Sequence, residues 1–411
     1  MTGARHCILC GSGGLATLLK IDNLPISHHL RRSQDDPDPR FSVGFESCPR
    51  CGLLQIAEPI SPDLLYAHAD TYTTGFQKPR HLDDLITTAV ALQDPDSAID
   101  IGCNDGALME ALTRGGYARV VGVEPNEVAA GLARQKGYAV HADFLGPDLA
   151  DRLVKEHGPF GVAYMRHVVE HVGDTASFFA AVRRLLRPGG LLVMELPEVE
   201  NAIDLGSPAI LWEEHVSYYT REQAEHLLAR FGFELLDRRR YAFGGGSIAC
   251  IARMVEMPAP GTIAALDAKA SRAVLHDFAH RLERQKADLH ALVADARKAG
   301  WKVVMYGAAP RSCMVSAAAG ISGQIDFVVD DRQDIQGRLM PGTQRPIRPL
   351  ADVLAEAGPR ILYLLGVGAE NEFKVRARIT GASQARAAFV SLLPPRNTVE
   401  SIAAARKILA T

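Results

Sequence analysis

Short apolar runs alternate with helical spacing through the middle of the chain. Residues 97–101 (SAIDI) are small and apolar and stop at Gly102, which predicts a buried strand. Leu108, Ala111 and Leu112 recur at helical spacing over 107–114, and 119–123 (RVVGV) predict a second strand ending on Glu124. A helix is expected over 126–137 with Val128, Leu132 and Ala133 inward, then short strands over 138–141 and 160–165. Residues 185–190 (LLRPGG) read as a helix end and tight turn before a strand at 191–195. Tyr241-Ala242-Phe243 and 248–252 (IACIA), parted by glycines, predict an antiparallel hairpin. Over 263–300 one long helical region is expected, with room for one break. Leu266, Ala270, Val274, Phe278, Leu282, Leu289, Leu292 and Val293 make its stripe, and its charges form a solvated face. The strand–helix pattern then returns, with strands at 302–307, 325–331 and 360–365 and a helix at 313–320. The fold class is α/β with two doubly wound units.

With 411 residues the chain exceeds one core, and 47% hydrophobic and 23% charged residues are ordinary globular values. A net charge of −3 argues against a broad electrostatic grip on nucleic acid or an anionic membrane. No apolar run reaches membrane-spanning length and the start lacks a signal-peptide core, so the cytoplasm is the expected location. Cys7-x2-Cys10 and Cys48-x2-Cys51, each followed by glycine, have the spacing of one tetrahedral zinc site. Four thiolates fill the shell, so the ion is expected to be structural. Cys103, Cys250 and Cys313 read as core or loop residues. The expected domains are a zinc-binding unit (1–78), a central α/β unit (79–256), a helical connector (257–300) and a second Rossmann-like unit (301–411).

Candidate chemistry gathers at strand ends. The loop DIGCNDG (100–106) lacks the spaced glycines that cradle a pyrophosphate, and Asp105 would repel one. An acidic loop suits a sulfonium cofactor with a free amino group, and Glu124 can accept from two ribose hydroxyls, the pattern of S-adenosylmethionine (SAM) methyltransferases. Asp143 and Phe144 stand where this fold contacts adenine. Arg166, His167 and His171 follow the 160–165 strand, where ligands of open sheets bind, and each histidine reads equally as a capping or packing residue. The stretch 211–219 carries Trp212, Glu213, Glu214, His215, Tyr218 and Tyr219. His215 beside Glu214 reads as a general base, or the acids read as caps of a helix over 220–231. Gly245, Gly246 and Ser247 would let backbone approach a ligand. Arg311 and Ser312 open a helix where a diphosphate would sit, or the third unit serves only as support. Tyr72 either reaches an active site or packs a linker.

These motifs together resemble the sugar C-methyltransferases of deoxysugar pathways, which methylate a nucleotide-linked 4-keto-hexose at C3. The resemblance spans nearly the whole chain and implies SAM as cofactor and a small nucleotide-sugar substrate, without nucleic-acid or membrane partners, in a monomer or homodimer. DIGCNDG is similar to the family's EIGSNDG, which implies cofactor roles for Asp100, Gly102, Asn104, Asp105 and Gly106; Glu124-Pro125 matches its ID-P element. Tyr72 in DTYTTG matches a tyrosine that reaches the active site. Residues 166–171 (RHVVEH) match N-N-V-L-A-H, which puts His171 in the place of an active-site histidine. Residues 212–218 (WEEHVSY) match Y-H-E-H-x-S-Y, with His215 as the base and Glu214 beside it. GGS recurs at 245–247, G-A-x-x-K-G-N corresponds to 307–313 (GAAPRSC), and PGT stands at 341–343. The departures are Arg166 and His167 for two asparagines, Trp212 and Glu213 for a tyrosine and a histidine, and Arg311 and Cys313 for a lysine and an asparagine. The implied mechanism has His215, oriented by Glu214, take a proton beside the keto group, while His171 and Tyr72 hydrogen-bond the enolate oxygen. An O- or N-methyltransferase, an RNA or protein methyltransferase and a non-catalytic SAM-binding protein are the competing readings.

Overall fold

The structure, a computed structural model, describes residues 5–66, 79–259, 261–262 and 264–411. Strands β1 (Ala16–Pro25), β2 (Arg40–Ser47) and β3 (Leu54–Ile56) open the chain as an antiparallel sheet. The central unit follows with β4 (Ser97–Ile101), β5 (Arg119–Val123), β6 (Ala139–His141), β7 (Phe160–Arg166) and β8 (Leu186–Pro197), all parallel. The chain then returns to the first sheet as β9 (Ser217–Tyr218), which pairs with β3. The hairpin β10 (Phe233–Tyr241) and β11 (Ser247–Met254) completes the central sheet in the order β10-β11-β8-β7-β4-β5-β6, with β11 antiparallel to its neighbours. Every residue of β4 is buried, and the connections diverge on its two sides, so a ligand crevice is expected beyond its carboxyl end.

The third sheet contains β12 (Lys302–Tyr306), β13 (Phe327–Val329), β14 (Leu339–Met340), β15 (Arg345–Arg348), β16 (Arg360–Leu365) and β17 (Arg386–Ser391). Its order is β14-β15-β13-β12-β16-β17, with only β14 antiparallel. The helix Ala268–Lys298 is continuous and joins the units. Its Leu275, Phe278 and Leu282 share one cluster with Ile21, Val43 and Phe45 of the first sheet, Leu211 and Tyr218 of the connecting loop, and Met314 of the third unit.

Several elements differ from the sequence reading, each for a packing reason. The helix Glu127–Gln135 buries Ala129, Ala130 and Ala133, while Val128 and Leu132 face solvent. A Cβ on Gly106 would stand 3.0 Å from the Ala133 Cβ, so the helix approaches too closely for larger side chains. Residues 187–190 do not form a separate turn but a bulge inside β8, where pairing jumps from Phe160–Leu186 to Val162–Leu191. In the long helix Val274 faces out and Leu275 faces in. The next helix, Pro310–Ala318, starts at its proline, whose missing N–H is harmless in a first turn.

Candidate active site and metal centre

The loop after β4 is shaped by backbone requirements. Gly102 and Gly106 have φ of +75° and +81°, and a Cβ on Gly102 would meet Val168 Cγ2 at 2.6 Å. Glu124 holds the loop from below. Its Oε2 accepts from Asn104 N at 2.9 Å and its Oε1 from Asn126 N at 2.8 Å, leaving a second lone pair on each oxygen. Burial raises the pKa of Glu124 against those two backbone donors. Asp100 is buried, and its Oδ2 has no hydrogen-bond partner among the described residues. Its pKa is pushed up to about 7 by burial, with Arg166 opposing and Glu124 adding to the rise. A buried acidic oxygen without a hydrogen bond among the described residues, beside a left-handed glycine turn and a carboxylate with spare lone pairs, fits a cationic, hydroxyl-bearing ligand. Asp143 and Phe144 lie past β6 on the rim: Phe144 is 53% exposed, and Asp143 pairs with Arg152 at 3.0 Å.

At the ends of β7 and β8 a carboxylate missed by the sequence reading organises the basic residues. Glu195 accepts from Arg166 Nε at 2.5 Å and Ser247 Oγ at 2.6 Å, and its Oε1 lies 2.9 Å from His81 Nε2. Burial alone would raise its pKa, but the His81 bond and the charges of Arg166, His167 and His81 hold it below the usual carboxylate range. Phe243 lies against Arg166, His167 and His81. Arg166 is therefore tied first to Glu195 rather than extended freely toward a ligand, and His167 sits between Glu170 (3.4 Å) and Glu195 (3.8 Å).

The histidine loop is built between two units. Pairing of Leu54 with Tyr218 and Gln55 with Ser217 makes the loop's end a strand of the first sheet. Tyr218 OH donates to Trp212 O and accepts from Trp212 N, both at 3.0 Å, which closes the loop. Glu213 Oε1 accepts from Ser27 N at 2.5 Å and Ser27 Oγ at 2.8 Å. Tyr218 and Glu213, expected to touch substrate, are buried and have these internal partners instead. Glu214 is not seen to orient His215: among the described residues neither carboxylate oxygen accepts a hydrogen bond, and Oε2 lies 4.0 Å from His28 Nδ1. Neighbours along an extended loop project to different sides. The acids do not cap the following helix either, because Thr220 and Gln223 form a capping box there.

His215 is instead stacked on Trp212 (4.6 Å between ring centroids) and meets His171 edge-on at 4.9 Å. Burial, then His171, His167 and Arg311, hold its pKa well below the usual imidazole value, so it is neutral at pH 7. His171 Nδ1 lies 3.0 Å from the Glu214 carbonyl, which can only accept. Neutral His171 therefore presents Nε2 as an acceptor, and the expected hydrogen bond to an enolate oxygen requires its protonated form. Glu170, buried and also missed, puts a carboxylate oxygen within 4.8 Å of nitrogens of both rings. The only sequence signal was an acid inside the apolar run VVEH. Tyr72 lies outside the described residues.

The third unit reaches the site through Arg311, which donates to the Gly244 carbonyl. A Cβ on Gly245 would stand 2.8 Å from Arg311 Nη1, so Gly245 and Arg311 come together, whereas Gly246 faces Glu198 and the Ser247 hydroxyl is committed to Glu195. Ser312 does not face a ligand: it is buried and donates to Gly366 O at 3.2 Å.

The four knuckle cysteines converge, with sulfur atoms within 4.8 Å of one another, Cys7–Cys51 at 3.5 Å and Cys10–Cys48 at 3.6 Å. Sulfurs about 2.3 Å from a tetrahedral zinc stand roughly 3.8 Å apart, so the set fits zinc with little movement. Gly11 N donates to Cys7 O and Gly52 N to Cys48 O, the same turn in both knuckles. Thr175 Oγ1 donates to Ile8 O and Gln223 Nε2 to Cys51 O, docking the knuckles on the central unit.

This fold and these two sites define a SAM-dependent methyltransferase with a structural zinc centre. Residues 7–66 match a family described as a zinc binding domain, residues 75–238 a methyltransferase domain, and residues 243–394 a C-methyltransferase C-terminal domain. The C-methyltransferase NovU of Streptomyces niveus is 28% identical over 357 residues, 83% of this chain and 85% of that one. A ubiquinone biosynthesis O-methyltransferase of Roseobacter denitrificans is 31% identical over 187 residues, 39% of this chain and 73% of its own. Among solved structures, a 1,6-didemethyltoxoflavin-N1-methyltransferase of Burkholderia thailandensis with bound S-adenosylhomocysteine covers 52% of this chain and 96% of its own. It does so at 15% identity and a TM-score of 0.37. The chain is a SAM-dependent C-methyltransferase similar to NovU.

Proposed function

We propose that this chain methylates the carbon next to the keto group of a nucleotide-linked sugar, with His215 as the base. The carrying observation is His215 itself: a neutral imidazole, buried and clamped between Trp212 and His171, has the protonation state and rigidity of a general base. His215 takes the proton from the carbon beside the carbonyl, and the electron pair moves onto the carbonyl oxygen as an enolate. His171, once protonated at Nε2, donates there, and Glu170 supports that cation. SAM, when bound, supplies the electrophilic methyl group. Asp100 would hold its amino group, Glu124 its ribose, and Gly102, Asn104, Asp105, Gly106 and Pro125 the space around them, with Asp143 and Phe144 at the adenine edge. Gly245, Gly246 and Arg311 would line the nucleotide side. A cytoplasmic location follows from the same reading and is supported by four free knuckle thiols suited to metal.

The test is a panel of nucleotide sugars, 4-keto and not, incubated with SAM and read by mass. A 4-keto substrate should gain one methylene unit, and the wild type should exchange the adjacent proton with D2O when S-adenosylhomocysteine replaces SAM. His215→Ala should lose turnover and exchange while binding SAM normally. Near-normal turnover by His215→Ala overturns the base assignment, and methylation of only non-keto acceptors overturns the substrate.

A further inference from the structure

Away from the methyl-transfer site, two imidazoles and a carboxylate meet at the free edge of the central sheet. His141 ends the outermost strand, β6, and His157 ends the helix Pro147–His157 that follows it. Their Nε2 atoms lie 3.2 Å apart with the rings edge to face at 80°. Glu156 places Oε1 3.6 Å from His157 Nε2 and Oε2 4.0 Å from His141 Nε2. Among the described residues, neither Nε2 has a hydrogen-bond partner other than the opposite ring. Two neutral imidazoles can share one proton in this way, but that leaves Glu156 without a function.

One divalent ion accounts for all three groups. Two imidazole nitrogens about 2.0–2.1 Å from a tetrahedral zinc stand roughly 3.3 Å apart, close to the separation already present. A turn of the exposed Glu156 side chain brings one oxygen to the same point, and water completes the shell. We propose that His141, Glu156 and His157 form a second metal site, of nitrogen and oxygen donors, that takes a borderline-soft divalent ion such as Zn2+. It differs in kind from the four-thiolate centre: its three protein ligands, two nitrogens and an oxygen, leave a fourth position open to water. When bound it ties the last residue of β6 to the end of the next helix and closes the segment that carries Asp143 and Phe144. Arg152, from the same helix, already holds Asp143.

The experiment uses the full chain carrying one equivalent of zinc on its cysteines, titrated with Zn2+ by calorimetry. One further equivalent should bind with a dissociation constant on the order of micromolar. His141→Ala and His157→Ala should each weaken it roughly 100-fold and Glu156→Gln roughly tenfold. Added Zn2+ should raise the thermal midpoint of the wild type and leave that of His157→Ala unmoved. Circular dichroism and retention of the cysteine-bound zinc verify that the variants fold. Uptake of no equivalent beyond the cysteine-bound one by the wild type, or a further equivalent that both histidine variants keep, overturns the proposal.

Discussion

Buried at the end of β4, Asp100 titrates near pH 7 because burial outweighs the pull of Arg166. An ammonium group placed beside it favours the ionised form, so binding must expel a proton below that pH. SAM affinity should therefore weaken about tenfold per pH unit below 7 and level off above it, and Asp100→Asn should abolish the slope while lowering affinity. Calorimetry across pH 5.5–8 checks this, with the range set by the unperturbed and shifted values. Glu170 gives a second residue-level prediction. If its carboxylate supports His171 as a cation, Glu170→Ala should lower kcat about 100-fold with SAM affinity unchanged, and should move the loss of the charged imidazole to lower pH, because the carboxylate raises the His171 pKa against its burial. The glycines, Glu124 and the histidines were visible in the sequence because their spacing along the chain announces them. Glu195 and Ser27 were not, since each matters through a partner far away in sequence: Ser27 meets Glu213 and Glu195 meets His81 only after folding; Glu170 was hidden because a single acid in an apolar run carries no spacing signal.

Among the elements, β4, β5 and the helix Ala107–Arg114 fall where periodicity puts them, because short apolar runs bounded by glycine admit one reading. Periodicity failed where close approach selects small side chains, as at Ala129, Ala130 and Ala133, and where a bulge absorbs a turn signal, as at 187–190. It also gave no hint of β9, since two residues carry no pattern and pairing with β3 is a tertiary event. With His215 as the proposed base, that pairing links the zinc centre to turnover without giving it a chemical step. Stripping zinc with a chelator should remove turnover by loosening the loop of His215. SAM binding, which rests on β4 and β5, should fall by less than about threefold, a small free-energy change. Parallel turnover and binding assays on chelated and zinc-restored protein check the split.

Across the whole molecule, one apolar cluster ties together the first sheet, the loop of His215, the long helix and the third unit. Phe278 is fully buried in it. Phe278→Ala should cost about 3–5 kcal/mol of stability and give a single unfolding transition shifted down, because units that share a core unfold together. Calorimetric unfolding distinguishes this from independent melting of three parts. The same sharing explains why the three-unit order was legible while the site was only half so: composition and motif give each unit, but residues between units depend on how the faces meet.

The pairing of Ser217 and Tyr218 with β3 also bears on inheritance. The strip of chain that carries His215 runs into a strand of the amino-terminal sheet, so neither segment should be exchangeable between relatives alone. A chimaera that swaps residues 1–66 must bring its matching 211–219 along, and natural recombination inside this lineage faces the same restriction. Substrate preference should therefore travel with the pair, not with either half.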